Sequence, residues 1–454
     1  MSNDFLKTAE KKAFDLRHRA TLRYNIGQYE QKFEVMQHQF EDLERARRIA
    51  KNLRWAAIEQ LDKLLLDFER NFKARGGQVI WADDAAAANA AVLNIAQHYN
   101  ATSVVKSKSM VTEEIEVNKA LEEAGIGVLE TDLGEYIAQL CGERPYHVTA
   151  PILQKSKEEV AAILHQKFGT PLDYTPAQVT AFVREKLRYE YAKAEIGITG
   201  GNFIVADTGS IVVTENEGNA RLTTAMPRVH IAIIGIEKAI ASIKQLPLLL
   251  PLLATYSTGQ RIATYNTLFS GPRQTNETDG PEAMYVILLN NGRTKLLADP
   301  IMRQSLYCIR CGACQNGCPV YRTIGGHSYD TTYSGPIGAV IEPHLQSLKT
   351  QGHLSYASSL CGNCTDVCPV KIDLHHLLLH NRELQVAQGL KKSDAQFWQV
   401  WQQLMLRRWV IDAAPQTAKN WGFRQLFTQK WGTYHALPDF PAQTFKEKWK
   451  AGDV

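Results

Sequence analysis

The fold class this sequence predicts is a parallel α/β domain carried on helices, then a mainly helical cysteine-rich domain and a helical or irregular tryptophan-rich tail. Three observations lead there. Short β-branched runs alternate with helical stretches between Gly77 and about residue 293, as in strands joined by crossovers. Seven of the eight cysteines crowd between Cys308 and Cys368, and six of the eight tryptophans fall between Trp398 and Trp449. The expected division is 1–76, 77–293, 294–385 and 386–454.

Residues 1–76 are almost free of glycine and proline. Apolar residues at helical spacing (Phe33, Met36, Phe40, Leu43; then Leu53, Ala57, Leu61, Leu65, Phe68) predict helices that pack on another element, with Arg and Lys on the wet face. Nothing in this stretch suggests chemistry. Strands are then expected at 77–82, 102–106 and 127–130, with helices at 84–98, 111–124, about 155–168 and 176–194. A glycine-punctuated segment follows from Ile196, in which Phe203–Ala206 and Ser210–Thr214 read as strands joined by the tight turn Asp207-Thr208-Gly209. Arg228–Gly235 reads as a buried central strand followed by a helix from Glu237. Thr264–Phe269 and Met284–Leu289 are expected to complete one sheet.

Leu246 to Ala254 is apolar but interrupted by proline and about half the length a spanning helix needs, so it reads as a buried helix start. With 44% hydrophobic and 22% charged residues the composition is that of an ordinary soluble protein, and a net charge of +4 argues for neither nucleic acid nor an anionic membrane. The amino terminus lacks the apolar core of a secretory leader, which with reduced thiolates points to the cytoplasm.

The chemistry is concentrated in the cysteines. Cys308-Ile-Arg-Cys311-Gly-Ala-Cys314-Gln-Asn-Gly-Cys318-Pro319 is the C-x₂-C-x₂-C-x₃-C-P run of bacterial ferredoxins, and Cys361-Gly-Asn-Cys364-Thr-Asp-Val-Cys368-Pro369 repeats it without the first cysteine. In such runs the fourth cysteine ligates the other cluster. Cys308, Cys311, Cys314 and Cys368 are therefore expected to hold one [4Fe–4S] cluster, and Cys318, Cys361 and Cys364 a second. Structural zinc pairs two C-x₂-C dipeptides or adds histidines and demands no trailing Cys-Pro. A disulfide framework does not suit this spacing.

The missing fourth position of the second set is Ser358. Three outcomes stay open: a [3Fe–4S] site, a [4Fe–4S] site with Ser358 or another oxygen on the odd iron, or a [4Fe–4S] site with that iron open. Cys141, the one spare thiol, lies far away in sequence. Six of the thirteen histidines (His327, His344, His353, His375, His376, His380) flank the loops, His353 being the one nearest Ser358 in sequence.

Asn202, Asp207, Thr208, Glu215, Glu217 and Asn219 sit beside glycines, a setting suited to a small anionic ligand, and Lys106-Ser-Lys108-Ser109 ends a predicted strand. Asp-Thr-Gly is equally a hairpin turn, and paired lysines are usually solvated. No G-x-G-x-x-G follows a strand and no Walker lysine is present. The aromatic tail, with Arg407, Arg408, Arg424, Lys446 and Lys448, suits either a partner surface or packing on its own chain.

Thr199-Gly-Gly-Asn202, Ala206-Asp-Thr-Gly-Ser210 and Asn216-Glu-Gly-Asn219, followed by the two cysteine loops, by Gly325–Ala339 and by the tryptophan-bearing tail, resemble the lactate utilization protein B family. The likeness covers nearly the whole chain. It implies a LUD domain, with the fold shared by ribose-5-phosphate isomerases and CoA transferases. It also implies that a non-cysteine at position 358 is a family trait. Its functional implication is an iron–sulfur electron-transfer subunit of an L-lactate dehydrogenase-type complex forming pyruvate, with a cysteine-rich partner and a smaller LUD-domain protein. Two alternatives stand beside it: a LUD domain that is itself the dehydrogenase with the clusters as a private relay, and a redox-sensing interaction protein.

Overall fold

The computed structural model describes residues 3–390, 392–407, 409, 415–431 and 436–453. They form two compact units, one ending at Leu384 and the other starting at Gln385.

The first unit opens with helices Asn3–Ala13, Leu16–Met36, Leu43–Glu59 and Leu61–Lys73. Aspartates set two of their starts: the Asp15 carboxylate accepts from His18 N at 2.9 Å and that of Asp42 from Arg45 N at 2.8 Å. Such caps satisfy amides that the first helical turn leaves without partners. Ten strands follow: β1 (Gln78–Ala82), β2 (Ser103–Lys106), β3 (Gly127–Glu130), β4 (Ile196–Thr199), β5 (Phe203–Val205), β6 (Ser210–Glu215), β7 (Val229–Gly235), β8 (Ala239–Ile240), β9 (Tyr265–Phe269) and β10 (Ala283–Leu289).

A six-stranded, all-parallel sheet runs in the order β1-β10-β7-β4-β2-β3. Every residue of β7 is buried. Val229, Ile231 and Ile233 enter one core while Ala232 and Ile234 enter the opposite one, as the two-residue period of a strand requires. Each fully buried Val or Ile there contributes about 1.5–3 kcal/mol.

Several expectations change. Of the two strands expected to complete this sheet, β10 joins it and β9 does not; β9 lies with β8, β5 and β6 in a second, four-stranded sheet in the order β8-β5-β6-β9. The turn Asp207-Thr208-Gly209 reverses the chain, so β6 runs antiparallel to β5 and then pairs with β9. β4 is a strand that the glycines concealed. A Cβ on Gly197 would stand 1.8 Å from the Thr223 carbonyl oxygen, so this glycine serves close packing and not a turn. No helix begins at Glu237: a 3₁₀ turn, Ile236–Lys238, leads straight into β8 with Glu237 and Lys238 buried. The helix expected over 111–124 breaks into Met110–Glu114 and Val117–Glu123 at Glu116, whose φ is 53°.

The apolar run becomes the buried helix Leu246–Thr258, entered through Pro247 and carrying Pro251. One continuous core joins Leu22 and Ile58 of the first helices, Phe203 and Val212 of the second sheet, and the cysteine loops. No described helix is long and apolar enough to cross a membrane. The second unit contains helices Lys392–Met405, Gln416–Trp431 and Phe445–Ala451, in which Trp398, Trp421 and Trp449 are exposed. Arg408 lies outside the described residues.

His230, in the middle of β7, is wholly buried, its Nε2 2.8 Å from Thr199 Oγ1. Burial lowers its pKa from 6.5 to about 3. Below pH 6.5 the unfolded chain therefore takes up a proton that the folded chain refuses. The stability His230 confers is full above pH 6.5 and is lost as pH falls from there toward about 3, by up to about 1.4 kcal/mol per pH unit. Denaturation midpoints at pH 7.5, 6.5 and 5.5 should fall less steeply for His230→Gln than for the native protein; equal slopes would refute this.

Candidate functional site

The two cysteine loops are one local structure used twice, fifty residues apart: Cys311 corresponds to Cys361, Cys314 to Cys364 and Cys318 to Cys368. Each loop has a left-handed residue before its glycine-led helix, Arg310 (φ 62°) then Gly312 (φ 79°), and Leu360 (φ 54°) then Gly362 (φ 83°). The short helices Ala313–Gly317 and Asn363–Asp366 follow. Their hydrogen bonds repeat as well. Gln315 N to Gly312 O and Thr365 N to Gly362 O are both 2.9 Å, and Cys318 N to Gln315 O and Cys368 N to Thr365 O are both 3.2 Å.

Amides turn toward the side-chain atoms at equivalent places. Arg310 N donates to Cys308 Sγ at 3.4 Å, and Leu360 N donates to Ser358 Oγ at 3.1 Å. Ser358 thus stands in its loop where Cys308 stands in the other. Beyond the loops the match loosens by one residue: Tyr321 N, three residues on, donates to Cys318 Sγ at 3.5 Å, and Ile372 N, four residues on, to Cys368 Sγ at 3.3 Å.

All eight cysteines are free thiols. Burial raises most of those in the loops, and they raise one another; Cys308, Cys311, Cys314 and Cys368 line one space. Cys311 is pushed up further by Cys368 and Cys308, and Cys314 by Cys308, Cys311, Cys368 and, from the second set, Cys364. Cys364 is raised to about 12 by burial and then by Cys318 and Cys361. Buried thiols that raise one another are the donor set that a cationic metal centre deprotonates on binding. Sulfur-directed amides and an apolar surround of Ile309, Ile337, Val370 and Ile372 suit an iron–sulfur group. The second set is more open, with Cys361 exposed and Ser358 half-buried. Cys141 belongs to neither set; its charged neighbours are Lys155, Glu143 and Lys167.

Two arginines on one face of helix Leu43–Glu59 hold the loops. Arg47 donates to the carbonyl oxygens of Cys368, at 2.9 Å, and of Asp366. Arg54, 1% exposed, donates to the carbonyls of Tyr307 (3.2 Å), Leu306 (3.1 Å), Ala239 (2.7 Å) and Glu237. The amino-terminal helices therefore do carry part of the site, contrary to the expectation of a solvated basic face. Asn363 Nδ2 also donates to Gly317 O at 2.6 Å, joining loop to loop.

At the carboxyl ends of β2, β3, β4 and β7, where open parallel sheets bind ligands, lies a polar cavity of about 280 Å³. Of the expected pocket residues, Asn202, Glu215, Glu217 and Asn219 line it, with Lys108. Asp207 and Thr208 do not: they form the β5–β6 turn, where Asp207 accepts from Ile243 N at 3.1 Å. Lys106 is not solvated but fully buried among Glu130 (2.8 Å), Glu113 (2.9 Å) and Glu135 (3.9 Å), and despite burial those carboxylates raise its pKa. Glu217, open to solvent at the cavity edge, is raised to about 7 by partial burial and by Asp132.

Residues absent from the expectation complete the cavity: Asp132, Lys238, Arg310 and Tyr333. Arg310, Tyr333, Met110 and Val148 also line the space among Cys308, Cys311, Cys314 and Cys368, so cavity and first thiol set share a wall. A buried charge network stands behind that wall. Arg293 pairs with Glu114 at 2.8 Å and with Glu237 at 2.6 Å, Tyr333 Oη donates to Glu114 at 2.7 Å, and Arg310 lies over the Tyr333 ring at 4.2 Å. Burial alone would raise Glu237, but Arg293, Lys238 and Arg310 hold it at about 2. Nothing in the linear pattern signals this network, because its members lie far apart in the sequence.

Of the flanking histidines, His375 bonds to Thr365 of the second loop at 2.7 Å, while His327 meets Arg144 O, His344 Asn381, His353 Thr350 O, His376 Asp373, and His380 Asp299 and Glu383. The histidine against the first loop is His147, buried and so close that a Cβ on Gly312 would stand 3.0 Å from its Cε1.

Comparison with known proteins matches residues 65–289 to the LUD domain and residues 304–372 to a 4Fe-4S dicluster domain. An uncharacterized electron transport protein, YkgF, of Escherichia coli (strain K12) is 44% identical over 76% of this chain and 73% of its own. Lactate utilization protein B of Geobacillus sp. (strain WCH70) is 45% identical over 75% and 72%, and that of Shouchella clausii (strain KSM-K16) 45% over 74% and 71%.

The arginine clamp is testable. Arg54→Met should lower stability by about 3 kcal/mol, leaving four buried carbonyls without a donor, and should reduce bound iron. Arg45→Ala, exposed on the same helix, should do neither. Native iron content and melting temperature in Arg54→Met would disprove the clamp.

Proposed function

The chain belongs to the lactate utilization protein B family, and we propose on that premise that it is the iron–sulfur electron-transfer member of a complex oxidising L-lactate to pyruvate. The observation that carries the reading is the repeated loop, which presents seven thiols as two neighbouring sets. Cys308, Cys311, Cys314 and Cys368 would hold a [4Fe–4S] cluster, and Cys318, Cys361 and Cys364 a second, [4Fe–4S] or [3Fe–4S], with Ser358 at its fourth corner. When bound, such clusters supply one-electron transfer.

The chain's own contribution is position and field. Because each loop lends a cysteine to the other loop's set, the two sets are held side by side. Around Cys308, the cations Arg54, Lys238, Arg293 and Arg310 face the carboxylates Glu114 and Glu237, and this surplus of positive charge favours added electrons. A cysteine-rich protein and a smaller LUD-domain protein would be the partners, in the cytoplasm.

A second reading has one observation in its favour: the polar cavity abuts the first thiol set, which suits a LUD domain that oxidises its own substrate. Purified chain given L-lactate without oxygen separates the two. Unchanged cluster absorbance supports the carrier; bleaching without partners supports the dehydrogenase.

The crossed ligand sets predict a pairing of variants. Anaerobically prepared protein should carry about seven or eight irons. Cys368→Ala should remove the same electron paramagnetic resonance signal as Cys308→Ala, though they lie in different loops, while Cys361→Ala removes the other. Cys368→Ala matching Cys361→Ala instead would contradict the crossing.

A further inference from the structure

The segment Gly325–Ala339, between the two cysteine loops, contains a tyrosine whose hydroxyl the fold does not use. Tyr329 is 2% exposed, and among the described residues its hydroxyl makes no hydrogen bond. Burying a hydroxyl without a partner is costly, and phenylalanine would fill the position without that cost. Other buried tyrosines nearby are satisfied. Tyr321 Oη donates to Tyr146 O at 2.9 Å, Tyr146 Oη meets His18 Nε2 at 2.7 Å, and Tyr333 Oη donates to Glu114 at 2.7 Å.

The chain holds Tyr329 in place from several sides. It closes the 3₁₀ turn His327–Tyr329, where its amide donates to Gly326 O at 3.1 Å, and Asp330 leaves that turn in the left-handed region at φ 50°. Two glycines bring the turn close against its neighbours: a Cβ on Gly325 would stand 1.4 Å from Tyr146 Oη, and one on Gly326 1.8 Å from Tyr146 O. Phe5 of the first helix and Tyr321 close on the ring, their centroids 6.1 and 6.2 Å away. Phe5 is itself buried, so the amino-terminal helix keeps water from this tyrosine.

Its strongest ionisable neighbours are thiols. Burial, then Cys318 and Cys314, push the Tyr329 phenol well above its usual range, so it stays protonated and remains a donor. In the crossed arrangement those two cysteines belong to different sets, and Tyr329 stands where the sets adjoin. A thiol is a weak acceptor, whereas the sulfurs of a bound cluster are negatively charged and accept well. We propose that the Tyr329 hydroxyl donates a hydrogen bond to a sulfur of the cluster held by Cys318, Cys361 and Cys364, and so raises that cluster's midpoint potential. The inference rests on the reading that the loops hold clusters. A donor on sulfur stabilises the reduced cluster, with its extra negative charge, more than the oxidised one, and in a dry setting the bond is little screened.

The test uses anaerobically prepared holoprotein of measured iron content, titrated with dithionite while electron paramagnetic resonance follows each cluster. Tyr329→Phe keeps the ring and its packing, so iron content should be unchanged. The cluster whose signal Cys361→Ala removes should become harder to reduce: at a fixed potential its reduced-to-oxidised ratio should fall about tenfold, a shift of about 59 mV for one electron. The other midpoint should move less. Tyr146→Phe, which loses an equally buried hydroxyl already engaged by His18, should leave both midpoints in place. Incorporating 3-fluorotyrosine at position 329, a more acidic phenol and stronger donor, should raise the midpoint, and it decides the matter where the phenylalanine variant loses iron. Unmoved potentials in fully iron-loaded Tyr329→Phe, or in the fluorotyrosine protein, overturn this inference and leave the electron-transfer reading standing. Native protein without iron overturns that reading itself.

Discussion

Two guanidinium groups on one helix hold the redox end of this protein together. Arg47 and Arg54 lie seven residues apart, two turns along the helix Leu43–Glu59, so they project from one face. Arg47 fixes the carbonyls of Asp366 and Cys368 at the end of the second loop, and Arg54 those of Leu306 and Tyr307 at the entrance to the first. Cys308 and Cys368, sixty residues apart in the chain, come to line one space between these two anchored ends. Because Arg54 also binds the carbonyls of Glu237 and Ala239, the same helix seats the loops on the α/β domain.

That seating gives the site its electrostatic character. The carboxyl edge of the parallel sheet delivers Lys108, Lys238 and Arg293 to the region where the first loop contributes Arg310. Burial disfavours each cation, and the buried carboxylates Glu114 and Glu237 keep the arginines charged, whereas Lys238 falls to about 8. Charge is thus concentrated where thiolates and electrons would need compensation. The second set, with Cys361 exposed and Ser358 in a ligand's place, faces a wetter setting. The first set is thus buried beside a cavity, and the second lies nearer the surface.

Much of this was legible in the residues. The cysteine spacing marked the two loops, and counting back three from Cys361 put Ser358 where the absent cysteine would stand, because loop geometry of this kind depends on local φ values and glycines. Asp84, Ser156 and Thr175 cap the helices expected after them. The errors lay where long-range packing outweighs local preference. Gly197 concealed β4, since a glycine kept for contact with Thr223 looks the same as one kept for a turn. Asp207 and Thr208 have the composition of a binding loop but serve a hairpin.

Sequence by itself determined the cofactor class, the repeat and the capped starts of several helices, all of which depend on neighbours within a turn or two. Only the tertiary structure decided what surrounds them: that Arg47 and Arg54 face inward, that Lys238 is buried near Glu237, and that one wall divides a polar cavity from the first thiols. Those facts arise from side chains separated by up to about 320 residues. Burial, which governs the cost of a charge, is a property of the folded chain and not of any stretch of it.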